Sequence, residues 1–145
     1  MAEVQMTVGV APSRVFAVLS DGWSYPLWVV GAAHMRDVDE AWPQVGSRIH
    51  HKVGAWPLLI EDNTEVVDMR PDRRLELDAR AWPAGRARVV LTLDEVAGGT
   101  SITMEEHAAA GPARLLPRPA QDAMLVPRNN EALRRLEQVA VNRPY

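Results

Sequence analysis

Residues 2–8 alternate. Val4, Met6 and Val8 fall on one side of an extended chain and Glu3, Gln5 and Thr7 on the other, the period-two pattern of a half-buried strand. Residues 9–12 break the pattern. Pro12 suits the first turn of a helix, and Val15, Phe16, Val18 and Leu19 give that helix a short apolar face ending at Asp21-Gly22. A second short helix is predicted over residues 24–30, with Pro26 in its first turn and Gly31 as its stop. From residue 33 to 108 the chain reads as strand and turn, with strands predicted at 33–39, 46–54, 58–70, 73–81, 85–96 and 99–108. The links carry turn chemistry: Trp42-Pro43, Arg70-Pro71-Asp72, Trp82-Pro83-Ala84-Gly85 and Gly98-Gly99. Links this short require antiparallel hairpins, because parallel strands need a long crossover.

Residues 109–120, rich in alanine, glycine and proline, read as an irregular loop. A helical period returns at about Gln121: Leu125, Asn129, Ala132, Leu133, Leu136, Val139 and Ala140 share one side, and Arg128, Glu131, Arg134, Arg135 and Glu137 lie mostly elsewhere. Pro127 is expected to kink or restart this helix, and Pro144 to end it. The order is strand, two short helices, six strands, long helix. An antiparallel sheet with one apolar face must cover it, and the C-terminal helix is the only long amphipathic element available. The predicted fold is α+β, a curved antiparallel sheet of about seven strands wrapped around that helix. A cavity between the two follows if the sheet curves strongly.

Composition narrows the functional classes. The chain has 145 residues, 47% hydrophobic and 24% charged, which fits one globular domain over residues 1–145. A net charge of -3 with no block of basic residues gives no electrostatic basis for binding nucleic acid. The absence of cysteine excludes disulfides, thiolate metal sites and cysteine nucleophiles. No signal peptide and no apolar run near the ~20 residues of a membrane span are visible, so a cytoplasmic location without membrane insertion is expected. There is no Gly-rich phosphate loop, Gly-x-Ser-x-Gly elbow or His-Glu-x-x-His helix, against nucleotide, serine-hydrolase and zinc-protease readings. The five tryptophans Trp23, Trp28, Trp42, Trp56 and Trp82 fall near predicted element ends, where they either plug the core or line a ligand mouth.

Three segments carry a family resemblance: residues 11–21 (Ala11-Pro12-Ser13-Arg14-Val15-Phe16 onward), Tyr25-Pro26-Leu27-Trp28, and residues 127–136 (Pro127-Arg128-Asn129-Asn130-Glu131 onward). Val45-Gly46-Ser47 and Pro71-Asp72-Arg73-Arg74-Leu75 support them. The chain resembles the polyketide cyclase/dehydrase-like branch of the START (helix-grip) superfamily over essentially its whole length. The resemblance implies the helix-grip fold. For function it implies several classes, since the superfamily includes aromatase/cyclases and lipid and hormone binders.

Strand parity nominates cavity-facing polar residues. Ile49, His51 and Val53 share a face, so His51 points in and His50 out; Ile102, Met104, Glu106 and Ala108 share another, so Glu106 points in. Ala87, Val89, Leu91 and Leu93 point in, leaving Arg86 and Arg88 toward solvent. On 58–70 both parities carry apolar residues and a bulge would reverse the assignment, so Glu61, Asp62, Thr64 and Glu65 stay open. His51 and Glu106 are the candidate acid–base pair, alternatively ligand-orienting or structural. Trp28, Trp56, Met104, Asn129 and Leu133 are the candidate ligand contacts, with Asn129 either bonding a ligand oxygen or capping the helix at Pro127. His34 and His107 read as surface or strand-end residues. Adjacent His50 and His51 point to opposite faces of a strand and do not form a metal site, and no cofactor is expected. The leading reading is a binder of a small hydrophobic or amphipathic molecule, polyketide-, fatty-acid- or lipid-like. The alternatives are a polyketide cyclase, aromatase or dehydratase, and a non-catalytic dimerising module; either a monomer or a homodimer is compatible.

Overall fold

A computed structural model describes residues 2–30, 34–53, 60–81 and 85–143. Strand β1 (Ala2–Val8) leads into helix α1 (Pro12–Ser20), a 3-10 turn (Gly22–Ser24) and the short helix α2 (Tyr25–Trp28). Six strands follow: β2 (His34–Val38), β3 (Arg48–Val53), β4 (Ile60–Arg70), β5 (Arg74–Ala81), β6 (Gly85–Val96) and β7 (Gly99–Ala110). A second 3-10 turn (Pro112–Leu115) precedes the long helix α3 (Arg118–Asn142). The strands form one curved antiparallel sheet in the order β1-β7-β6-β5-β4-β3-β2, the predicted α+β helix-grip arrangement.

Pairing follows chain order from β2 to β7, and β1 then joins the far edge beside β7, with Val4 opposite Met104 and Val8 opposite Thr100. The concave face carries the apolar parity of each strand. Ile49, Val66, Leu75, Leu91 and Ile102 are fully buried there. The convex face carries ion pairs between neighbouring strands, including Arg88 to Glu76 at 2.6 Å and Arg74 to Asp68 at 3.2 Å. Three register shifts interrupt the ladders. One, between Val66 and Asp68 of β4, puts Thr64 and Val66 on the inner face below it, resolving the strand whose sidedness its sequence leaves open. A second makes Arg36 of β2 the extra residue opposite His50 and His51, and a third makes Ala109 of β7 the extra residue opposite Arg86 and Ala87 of β6, a strand that keeps regular register with β5. Beside it Gly85 adopts φ 111°, and a Cβ there would lie 1.9 Å from the Ala110 carbonyl oxygen, so only glycine allows β6 and β7 to approach at this end.

Helix α3 begins earlier than its period predicts. Pro117 stands at its N-cap and a proline lies in its first turn, where the missing N–H breaks no intrahelical bond. The proline-rich stretch read as loop thus contains the helix start. Nor does Pro127 end or restart the helix, which runs through it unbroken. The proline leaves the Ala123 carbonyl without its i+4 donor at a solvent-exposed residue, where the loss costs least.

Ala132, Leu133, Leu136 and Ala140 bury the C-terminal half of α3 in one cluster with Val15, Val18 and Leu19 of α1 and the inner face of the sheet. Across this junction Arg14 donates to the Arg143 carbonyl at 2.7 Å and Arg143 pairs with Asp21 at 3.1 Å. Leu136→Ala removes a fully buried side chain at the centre of this grip. The expected loss is about 2–5 kcal/mol, seen as a lower urea midpoint at unchanged m-value; a loss below about 1 kcal/mol would show that the grip is not where the helix is held.

Candidate functional site

The N-terminal half of α3 stands over the centre of the sheet and encloses a cavity of about 280 Å³. Its origin lies in the sheet register. Thr64, Ala79, Ala87 and Ala108 sit opposite one another in a single row across β4, β5, β6 and β7. The next row is Val66, Leu77, Val89 and Glu106. Three methyl groups in the first row leave space that larger side chains fill in the second. Trp28, Val29 and Val30 wall the cavity beside α2, Met104 lies on its floor, and Leu125 and Ala132 cover it from α3.

Polar groups converge on this apolar chamber. His51 Nε2 lies 3.1 Å from Thr64 Oγ1, and the Tyr25 hydroxyl lies 3.3 Å from the same oxygen. The Tyr25 and His51 rings are nearly parallel with centroids 6.4 Å apart, and Trp28 meets Tyr25 edge-on at 5.5 Å. Burial lowers the His51 pKa from its ordinary value; the Asp62 carboxylate opposes that, and the Arg36 and His50 charges reinforce it. Burial also raises the Tyr25 pKa, opposed by its Thr64 bond, with Glu106 pushing upward and Arg128 downward. Both rings are therefore neutral at pH 7. Thr64 has a single proton, so the chain runs in one of two directions: from Tyr25 through Thr64 to a His51 Nε2 lone pair, or from His51 Nε2–H through Thr64 to the Tyr25 oxygen.

Across the chamber, Glu106 is only 4% exposed, and its Oε2 receives the Arg128 guanidinium at 2.6 Å. The pair ties α3 to β7 over the cavity and supplies the partner that a buried carboxylate needs. The helical pattern sets Arg128 apart from the apolar side, but its long side chain reaches inward from the edge of that stripe. Next to it, Asn129 is 1% exposed and its Nδ2 has no hydrogen-bond partner. Asn129 sits in mid-helix and its side chain makes no cap, so the capping alternative is corrected.

The structure brings His51, Glu106, Trp28, Met104 and Asn129 together on the cavity wall. Leu133 is fully buried in the core one turn beyond Asn129, and the wall at that turn is formed by Ala132. Trp56 lies outside the described residues, as does Trp82. Trp42 is buried and donates from its indole nitrogen to the Leu19 carbonyl at 3.0 Å, a core plug, whereas Trp23 is exposed. His50 points away from the cavity and meets Asp39 at 2.9 Å. Arg86 borders the cavity at the end of β6, but its side chain keeps the solvent-facing parity expected of it and pairs with Asp78 at 3.2 Å. Sequence reasoning missed Tyr25 and Arg128. The signal for Tyr25 was its i, i+3 spacing from Trp28, which puts both rings on one side of a helical turn. Among the described residues, no three His, Asp or Glu side chains converge as a metal site would require, and no helix is long and apolar enough to cross a membrane.

Known proteins of the same shape share this architecture. Protein MLL2253 from Mesorhizobium loti superposes with a TM-score of 0.70 at 19% identity, covering 99% of this chain and 98% of that one. DynU16, from the dynemicin biosynthetic locus, gives 0.68 at 19% identity over 97% of this chain and 47% of its own. Aha1 from Colwellia psychrerythraea, solved as a dimer, gives 0.66 at 13% identity, covering 96% and 94%. At these identities the likeness establishes the fold alone. No curated protein matches the sequence. The family model described as polyketide cyclase / dehydrase and lipid transport matches residues 1–141, nearly the whole chain, and the protein belongs to that family.

Proposed function

We propose that the protein binds a compact, largely apolar molecule carrying at least one oxygen, held between the alanine row of the sheet and the N-terminal half of α3. The observation that carries this reading is the buried, unpartnered Asn129 amide on the wall of an otherwise apolar cavity. A buried donor without an acceptor costs about 1–3 kcal/mol, a cost that a ligand oxygen removes. The cavity lies at the small end of the usual range of about 300–1,000 Å³ for small-molecule pockets, which favours a compact ligand over a long acyl chain. Family membership and the place of DynU16 in a biosynthetic locus support a polyketide- or lipid-like ligand.

A second reading is favoured by the Tyr25–Thr64–His51 hydrogen-bond chain. With Nε2–H donating to Thr64 and the Thr64 hydroxyl donating to Tyr25, the His51 Nδ1 lone pair is left to take a proton from a carbon next to a ketone and the Tyr25 hydroxyl is left to donate to the developing enolate oxygen. That is the first step of an aldol cyclisation or a dehydration. Glu106, already held by Arg128, is better placed as an anchor than as the acid of an acid–base pair with His51.

Native mass spectrometry of freshly purified protein, with organic extraction of what stays bound, is expected to show a discrete added mass. Ala87→Leu fills the alanine row and should abolish that mass while leaving the far-ultraviolet circular dichroism unchanged; retention of the ligand by this variant would exclude the cavity as its site. Asn129→Leu should stabilise the ligand-free protein by about 1 kcal/mol and weaken the ligand roughly tenfold. Loss of stability with unchanged affinity would assign Asn129 to the fold.

His51 also predicts a pH dependence. Its folded pKa is depressed below the unfolded value of about 6.5, so the unfolded chain takes up the proton first as pH falls. Its contribution to stability is complete above about pH 6.5 and is lost as pH drops below that value. The urea midpoint should fall from pH 7 to pH 5, and His51→Gln should reduce that slope. An unchanged slope in the variant would show that His51 is hydrated and freely protonated.

A further inference from the structure

The charges around the cavity are spent before any ligand enters. The charged or basic side chains that border it are His51, Arg80, Arg86, Glu106 and Arg128. Arg80 and Arg86 are cross-strand partners one position from the inward Ala79 and Ala87, so both side chains leave on the convex face, where Arg86 meets Asp78 at 3.2 Å. Glu106 and Arg128 meet at 2.6 Å and neutralise one another. Asp62, opposite His51 in the register, does not border the cavity. Burial keeps His51 and Tyr25 uncharged at pH 7. What faces the interior is a set of neutral hydrogen-bonding groups.

These groups form two stations with different requirements. On α3, the buried Asn129 Nδ2 has no partner and can only donate, so it requires a lone pair. Beside α2, the Tyr25–Thr64–His51 chain leaves different sites open in its two directions. When Tyr25 donates into the chain, its oxygen can only accept and His51 Nδ1 carries the spare proton. When His51 donates into the chain, the Tyr25 proton is released for another acceptor. This station therefore meets either a hydroxyl or a carbonyl, according to the histidine tautomer, whereas the Asn129 station meets an acceptor alone.

Resting on the binding role argued above, we propose that the ligand is an uncharged molecule with two oxygen functions, a carbonyl-type acceptor at Asn129 and a hydroxyl or second carbonyl at Tyr25. A carboxylate, phosphate or ammonium group in this space would be a buried ion with its only interior counter-charges, Glu106 and Arg128, already joined to each other. A pure hydrocarbon would fill the chamber but leave the Asn129 donor unpaired. A neutral oxygen meets both conditions.

The test is equilibrium dialysis of the full chain at pH 7 against compact probes built on one bicyclic skeleton. Tetralin carries no oxygen, 1-tetralone a ketone, 5-hydroxy-1-tetralone a ketone and a hydroxyl, and tetralin-1-carboxylate a negative charge. 1-Tetralone should bind roughly tenfold more tightly than tetralin, and the added hydroxyl should tighten it about fivefold further. The carboxylate should bind at least roughly tenfold more weakly than 1-tetralone. Asn129→Leu should erase the preference for 1-tetralone over tetralin. Tyr25→Phe should keep that preference and erase only the gain from the hydroxyl. A carboxylate that binds as well as 1-tetralone would overturn the uncharged assignment and leave the binding cavity standing. Equal affinity for tetralin and 1-tetralone would overturn the carbonyl at Asn129, as would a ketone preference that survives Asn129→Leu. A hydroxyl that adds nothing, or a gain that survives Tyr25→Phe, would overturn the second station. Binding of none of the probes would overturn both this assignment and the cavity as a site for compact apolar molecules.

Discussion

Helix α3 is held over its C-terminal half, where Ala132, Leu133, Leu136 and Ala140 are buried among α1 and the sheet, and it runs unbroken through Pro127. Whatever fixes that half therefore fixes the position of residues 118–129 as well. The overhanging half is not pressed onto the sheet, because the row beneath it ends in alanine methyls. Rigid rod and short side chains together make the chamber. If either changed alone, by a larger residue in the row or a hinge in the helix, the space would close without any change of topology.

Burial then dictates the chemistry of what faces that space. Glu106 is tolerated because Arg128 crosses from the helix to meet it, so one ion pair both neutralises the carboxylate and tethers the overhang. Thr64 serves two partners with one hydroxyl, fixing the orientation of Tyr25 and His51 together. Asn129 stands apart from this economy. Its Nδ2 is the one side-chain donor on the wall that is buried and unbonded among the described residues, and natural interiors rarely keep such a group without use for it.

The architecture was legible because each strand on the concave face alternates cleanly and each link carries its own turn residues. Alternation also placed His51 and Glu106 on the inner face, since the extra residue opposite His51 belongs to β2 and the one in β7 lies beyond Glu106. It failed where the register slips. β4 shows apolar residues on both parities because its two halves face differently, whereas Arg86 keeps the parity of its regular strand. Helical periodicity located Asn129 but not Arg128, as a long side chain at the border of a stripe can turn either way. The prolines of residues 109–120 argued for a loop when one of them was opening the helix. The alanine row was invisible in one dimension. Each of its members is a small residue on a separate strand, and only the pairing register sets them side by side.

The closure of the sheet by β1 has a consequence for how the molecule assembles. Gln5 donates to Ser101 across a sequence separation of 96 residues, and among the described residues β1 has β7 as its one strand neighbour. During synthesis β1 emerges before β7 and all the strands between them, and waits for them before it can be paired. The β2-to-β7 meander can form by local steps, whereas the final edge and the docking of α3 require closure of the longest loop. Until β7 follows, the apolar side of β1 therefore has no strand to pair with.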